Sequence, residues 1–216
     1  MPTLPHDRRT ALIVLGGAML AGRAWASGAV ASYRWPEGAS PQAAQLVRWA
    51  LQSGDAQGVP FAIVDKPDAR LHVFDATGRW LGSAPVLLGS ALGDTSAPGI
   101  GDKPLARIRP EERTTPAGRF ASEPGRNTRG DDLVWIDYDA AVSLHRIRSV
   151  HPRERRQERL ASPLASERRI SNGCVNVANA FYDRVVAPTL GQTPGVVYVV
   201  PDTVPFATIF IAASAY

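Results

Sequence analysis

The sequence has a single cysteine, few aromatic residues and no long hydrophobic run, and each shortage excludes a class of protein. Cys174 cannot form an internal disulfide. The apolar run at residues 11–21 is well short of the roughly 20 residues that cross a bilayer as a stable helix. One cysteine and scattered histidines give no zinc-binding spacing. We therefore expect no metal and no other cofactor.

The chain also lacks a strong charge of one sign. Its formal net charge is +4, and it falls to +2 without residues 1–26. Aromatic residues make up 7% of the sequence, and none of them interleaves with a basic stripe of the kind that stacks nucleic-acid bases. The composition therefore argues against a nucleic-acid partner.

The first 26 residues have the pattern of an export signal. Arg8 and Arg9 precede the apolar run at residues 11–21, and Ala24-Trp25-Ala26 is a small-x-small cleavage site. We expect residues 1–26 to be a signal peptide, with no transmembrane segment after cleavage and a final location in the periplasm or cell envelope. A membrane anchor is the alternative, and the general and twin-arginine export routes both remain open.

The remainder predicts a lead-in with a helix at residues 27–59 and one domain at residues 60–216. Ser40 and Pro41 are typical of a helix start, and Gly54 follows its end. Alternating apolar residues and turn sequences predict a mainly β fold, a mixed β-sandwich with a few short helices. The predicted strands are Phe61–Asp65, Arg70–Asp75, Trp80–Leu88, Gly118–Phe120, Leu133–Tyr138, Val142–His145, Val196–Val200 and Phe206–Ala212.

The segment Arg169–Asn176 places the only thiol of the chain on a tight turn. A lone thiol in an oxidising compartment is a liability unless it is buried or used. Gly173 allows the backbone to curl, and Asn176 is predicted to cap a following helix whose dipole would favour the thiolate. The amides of Asn172, Gly173 and Cys174 are candidate donors to an oxyanion.

A cysteine nucleophile needs a base, and His145 is the best candidate. It ends the alternating stretch Val142–His145, where a strand would hold its imidazole in place. His72 lies within an early predicted strand, and His151 precedes a proline in a charged segment. Both are weaker candidates, and a histidine that only terminates a strand is the alternative for His145 itself.

Three stretches, in this order, resemble the YkuD-type L,D-transpeptidases. They are Thr115–Phe120, Ser143–His145 and Ser171–Asn176, within a similarity that spans roughly residues 60–201. The resemblance implies Cys174 as the nucleophile, His145 as the base, Asn172–Cys174 as the oxyanion hole and Ser171 as a residue that orders the site. It also implies an acyl-enzyme formed on tetrapeptide stems of peptidoglycan, passed to an amine of a second stem or of a wall-attached protein, and acylation by carbapenems.

The sequence departs from that family in two places. Asn172 replaces a histidine that the family usually has, and 29 positions separate His145 from Cys174, a longer interval than expected. The surplus in this interval is a basic segment, residues 146–169, which has eight arginines and three glutamates. We expect this segment either to be a solvated helical face or to bind stem-peptide carboxylates. The tentative carboxylate-binding residues are Arg155, Arg156, Arg159 and Arg169.

Two other functions remain open. An L,D-carboxypeptidase or wall-peptide hydrolase would use the same thiolate with water as the acceptor. A non-catalytic wall-binding module would account for Asn172 in the position of the family histidine. Only the first of these two alternatives requires a reactive Cys174.

Overall fold

The computed structural model describes residues 38–148 and 151–216. The expected signal peptide at residues 1–26, and the part of the lead-in that ends at residue 37, lie outside the described residues. Within these two ranges, no helix is both long enough and apolar enough to cross a membrane.

The first helix forms where the sequence predicts it. Helix α1 spans Pro41–Ser53, Ser40 Oγ accepts the backbone N–H of Ala43, and Gly54 ends the helix in a left-handed conformation (φ 68°). Its buried face packs with the stacked rings of Phe61 and Phe74 on the outer side of the sheet. Helix α1 therefore has a packing role.

Nine strands form one sheet within the described residues, and the helices around it are short, so the expectation of a mainly β fold with a few short helices is confirmed. The strands are β1 Phe61–Asp65, β2 Arg70–Phe74, β3 Trp80–Gly89, β4 Gly118–Arg126, β5 Asp132–Asp137, β6 Val142–Arg146, β7 Arg169–Ser171, β8 Val175–Val177 and β9 Gly195–Val199. Strands β1, β2 and β3 form an antiparallel meander.

The strand order closes on itself. The order is β2-β1-β9-β4-β5-β6-β8-β3, and β3 pairs again with β2, while β7 lies beside the end of β3. The main core cluster fills this closed sheet with apolar side chains such as Val86, Leu144, Val175 and Val197. One continuous sheet surrounds a single interior, and the expected β-sandwich is not confirmed.

The chain after Cys174 differs from the prediction. Val175–Val177 is strand β8, buried throughout, and the next helix, α3, spans Asn179–Phe181 and continues as a π-helical turn at Tyr182–Val186. Val175 and Val177 fill the core between β6 and β3, which favours the extended backbone. The prediction that Asn176 caps a helix and that a helix dipole favours the thiolate is therefore wrong.

The described residues contain two other α-helices. The basic segment contains helix α2 at Arg156–Ala161, which fits the helical alternative. The predicted strand at Phe206–Ala212 is instead helix α4, Phe206–Ile209, followed by a 3-10 turn at Ala212–Ala215. Phe206 and Phe210 pair one helical turn apart, with ring centroids 5.2 Å apart, against the cluster that contains α1.

Candidate active site

Strands β6 and β8 bring the predicted site residues together. They are parallel neighbours in which Leu144 is opposite Val175 and His145 is opposite Asn176. Leu144 and Val175 point into the core and are fully buried. Because side chains alternate along a strand, Ser143, His145, Cys174 and Asn176 face the other way, toward one cavity.

The turn between β7 and β8 holds Cys174 through backbone contacts. Ser171 Oγ donates to the Cys174 carbonyl at 2.6 Å and accepts the Gly173 N–H at 3.1 Å. Gly173 has φ 133°, and a Cβ there would lie 2.8 Å from Thr114 O. The position therefore requires glycine, as the sequence indicated.

Thr115 ties this turn to the rest of the sheet. Its buried hydroxyl donates to the Gly173 carbonyl at 2.8 Å and accepts the Gly89 N–H at 2.9 Å. The Thr115 carbonyl accepts from the buried ammonium of Lys66 at 2.8 Å. Thr115 thus connects the turn that carries Cys174 to the end of β3 and to Lys66.

The thiol of Cys174 is partly exposed and lies against β6. Its Sγ is 3.6 Å from Ser143 Oγ and 3.6 Å from the Ala141 carbonyl oxygen. Among the predicted oxyanion donors, the amide of Gly173 is already donated to Ser171. The amides of Asn172 and Cys174 remain as the candidate donors.

His145 has one defined tautomer. Its Nδ1 lies 2.6 Å from the Arg146 carbonyl, which can only accept, so Nδ1 carries the proton and Nε2 has the lone pair. Nε2 accepts from the side-chain amide of Asn176 at 3.1 Å. Neither ring nitrogen is therefore hydrogen-bonded to the thiol in this structure, an arrangement common in free enzymes whose catalytic contacts tighten with substrate.

Burial is the largest cause that lowers the pKa of His145, and the nearby positive charges of Arg148 and Arg156 add to it, against the opposing bond to Arg146 O. Together these effects place the pKa at about 4. The imidazole is consequently neutral at pH 7 and able to accept a proton.

Asn176 links His145 to the basic segment. Its Oδ1 accepts from Arg156 Nη1 at 2.7 Å, and Arg156 Nε in turn donates to Glu154 at 2.6 Å. Asn176 is fully buried, and only 10% of the Arg156 side chain is exposed. A continuous chain of hydrogen bonds therefore runs from helix α2 to the imidazole.

The cavity over Cys174 has a volume of about 250 Å³. Its apolar lining consists of Leu133 and Trp135 of β5, the exposed Leu105 and Ala141. The polar lining consists of Asn127, Ser143, His145, Arg148, Arg156, Ser171, Asn172, Cys174 and Asn176. The site can thus take a chain with both apolar and anionic groups.

The four arginines expected to bind carboxylates do not lie together. Arg156 lines the cavity over Cys174, whereas Arg155 and Arg159 line a separate cavity of about 560 Å³. Arg169 makes a bidentate ion pair with Asp202, at 2.6 and 2.8 Å. Arg148, which the sequence did not single out, lines the Cys174 cavity and pairs with Asp131 at 3.0 Å.

The two weaker candidate bases lie elsewhere. His72 is fully buried with its Nδ1 2.6 Å from Ser83 Oγ, and His151 is exposed with its Nδ1 accepting the Arg153 N–H. Neither lines the cavity over Cys174. Across residues 38–148 and 151–216, no cluster of histidine, cysteine, aspartate or glutamate could hold a metal ion.

Sequence reasoning missed Ser143 and Asn176 as partners of the thiol and the imidazole. Both stand two residues from a predicted site residue on a strand, Ser143 before His145 and Asn176 after Cys174. The period-2 rule would have placed each of them on the same face as its neighbour, had β8 been predicted as a strand.

In comparisons with known proteins, no family model and no curated sequence matched this chain.

Proposed function

We propose that this chain is an exported L,D-transpeptidase of the YkuD type, with the sheet architecture of that family's catalytic domain. It would act in the periplasm or cell envelope on the stem peptides of peptidoglycan, with a second stem or a wall-attached protein as the acceptor. The observation that carries the proposal is one cavity that contains both the thiol of Cys174 and a neutral imidazole of fixed tautomer.

The proposed chemistry proceeds through a thioester. The thiol proton passes from Sγ to His145 Nε2, and the thiolate attacks the carbonyl carbon of the L,D bond. The amides of Asn172 and Cys174 donate to the oxyanion. Collapse of this intermediate breaks the C–N bond, and the imidazolium gives its proton to the leaving amine. Attack by a second amine on the thioester then forms a new amide and restores the thiol.

Ser171 and Thr115 support this chemistry by fixing the turn, and Ser143 supports it by contacting the thiol. A preorganised turn reduces the movement required when the oxyanion forms. The change from the family histidine to Asn172 removes an imidazole and leaves the backbone donor in place. The proposal therefore assigns no side-chain role to Asn172.

Incubation of the purified protein with disaccharide tetrapeptides, followed by mass spectrometry, tests the function. A crosslinked dimer with release of D-alanine is expected. Tripeptides alone would identify an L,D-carboxypeptidase with water as the acceptor. Binding without any product, retained in Cys174→Ala, would identify a wall-binding module and contradict the proposal.

A further inference from the structure

Several charged groups lie near His145, and one of them, Arg156, is connected to the imidazole by hydrogen bonds through another side chain. On its own strand, Arg146 turns away to Asp132 and Asp183. The remaining charged or titratable groups around the imidazole are Arg148 with its partner Asp131, Arg156 with its partner Glu154, and the thiol of Cys174. Of these, Arg156 is hydrogen-bonded to the amide that occupies His145 Nε2.

Arg156 determines which way the Asn176 amide points. A guanidinium group has donors and no acceptor, so the atom 2.7 Å from Arg156 Nη1 must be the amide oxygen. The amide nitrogen then faces His145 Nε2 at 3.1 Å and donates a hydrogen bond to the lone pair of the neutral ring. This arrangement suits neutral His145 alone.

Protonation of His145 conflicts with that arrangement. When Nε2 takes the thiol proton, the S–H bond breaks and an N–H bond forms, and Nε2–H then faces the N–H of Asn176. Rotation of the amide would turn Oδ1 toward Nε2–H, but it would also turn the amide N–H toward the guanidinium of Arg156. Each orientation leaves two donors opposed, so the bond from Arg156 to Asn176 disfavours the imidazolium.

We propose that Arg156 is a positioning residue that lowers the basicity of His145 by holding the Asn176 amide. This inference rests on the proposed function, because it takes His145 as the base of Cys174. It differs from the substrate-binding role expected for Arg156, since the side chain acts through Asn176. The same contact links the basic segment to the reactivity of the thiol.

The test is a pH titration of the His145 imidazole by NMR in the mature protein, paired with the rate of Cys174 alkylation by iodoacetamide. Arg156→Met should raise the pKa of His145 by about one unit, and alkylation below pH 7 should become about tenfold faster. Arg156→Lys keeps a charge and a donor for Asn176 Oδ1, so it should restore the wild-type behaviour. Arg153→Met removes an exposed charge from the same segment and should change neither value.

A double-mutant cycle separates action through Asn176 from direct charge repulsion. In an Asn176→Ala background, Arg156→Met should shift the His145 titration by much less than in the wild type. An equal shift in both backgrounds, or no shift in either, would overturn the inference.

The same experiment tells the two proposals apart. If iodoacetamide fails to modify Cys174 in any folded variant between pH 5 and pH 9, the reactive thiol of the proposed function is contradicted. If Cys174 reacts and His145→Gln slows it, while Arg156→Met leaves the rate and its pH profile unchanged, only the inference about Arg156 fails.

Discussion

The backbone of Arg146 decides which nitrogen of His145 can act as a base. Its carbonyl accepts a hydrogen bond from Nδ1–H, so the lone pair of Nε2 points toward Asn176 on the cavity side. Burial lowers the pKa of this ring to about 4, which keeps it neutral well below the usual range of histidine.

This lowered pKa predicts a dependence of stability on pH. Between pH 6.5 and pH 4 the unfolded chain binds a proton at His145 that the folded chain does not, so the free energy of unfolding should fall as the pH falls through that window. We expect a loss on the order of 2 to 3 kcal/mol from this residue. Urea unfolding at pH 7 and pH 4.5 should show a smaller loss in His145→Gln, whereas His151→Gln, at an exposed site, should behave as the wild type.

The loss of stability on replacing Gly173 should depend on steric crowding as well as on φ. Gly173→Ala places a Cβ 2.8 Å from Thr114 O at φ 133°, so it should destabilise the protein by about 2 to 3 kcal/mol and slow alkylation of Cys174. Gly130→Ala is the matched control, because Gly130 has φ 83° with nothing within 4 Å. Equal effects of the two substitutions would show that the close approach to Thr114 is unimportant.

At this scale the sequence predicted a candidate nucleophile and a candidate base but not their immediate partners. Gly173 and Cys174 form a motif whose geometry is local, and the alternation before His145 is local as well. The partner of His145 could not be read in the same way, because Asn176 was assigned to a helix cap. Val175–Val177 alternates apolar and polar residues over only three positions, which is too short to separate strand from helix.

Elements rather than single side chains hold the site in register. Strand β6 and strand β8 set the spacing between imidazole and thiol, and the segment that precedes β4 supports the turn through Thr115. The strand predictions succeeded at the seven segments from Phe61–Asp65 to Val196–Val200, although β4 extends to Arg126, beyond the predicted Gly118–Phe120. They failed at Phe206–Ile209, where a short apolar run forms a helix because Phe206 and Phe210 pack on the cluster that contains α1.

Removing the Thr115 hydroxyl should lower both the stability of the protein and the reactivity of the Cys174 thiol. Thr115→Val leaves the Gly89 N–H and the Gly173 carbonyl unpaired in a buried place, so we expect a loss of about 1 to 3 kcal/mol and slower alkylation of Cys174. Thr114→Val is the control, because its hydroxyl donates to Thr95 O, away from the turn. It should cost stability without changing the alkylation rate, and equal alkylation rates in the two variants would contradict this role of Thr115.

The whole molecule depends on pairings that local patterns do not encode. Closure of the sheet requires β9 to pair in parallel with β1 and β3 to pair with β8, both over long separations in sequence, in addition to the local pairing of β3 with β2. A buried ionic network lies beneath the site, with Lys66 bound to Asp94 at 2.7 Å and 3.4 Å from Asp202. Hydrogen bonds, chiefly from Lys66 and Thr203, hold the pKa of Asp94 well below its usual range despite the opposing effect of burial.

Replacing Lys66 should therefore lower the global free energy of unfolding by a large amount. Lys66→Met leaves Asp94 without a buried counter-ion, while Asp202 keeps its ion pair with Arg169, and it should cost about 3 to 5 kcal/mol in urea unfolding at pH 7. Arg79→Met removes the exposed partner of Asp75 and should cost no more than about 1 kcal/mol. Similar losses in the two variants would mean that the buried network contributes little.

The central claim is that Cys174 is a nucleophile assisted by His145. Intact-protein mass spectrometry of the mature protein with a carbapenem, beside Cys174→Ala and His145→Ala, tests it most directly. A single covalent adduct on the wild type, slower in His145→Ala and absent in Cys174→Ala, is the predicted result. A folded wild-type protein that forms no adduct, or an adduct that persists in Cys174→Ala, would contradict the account.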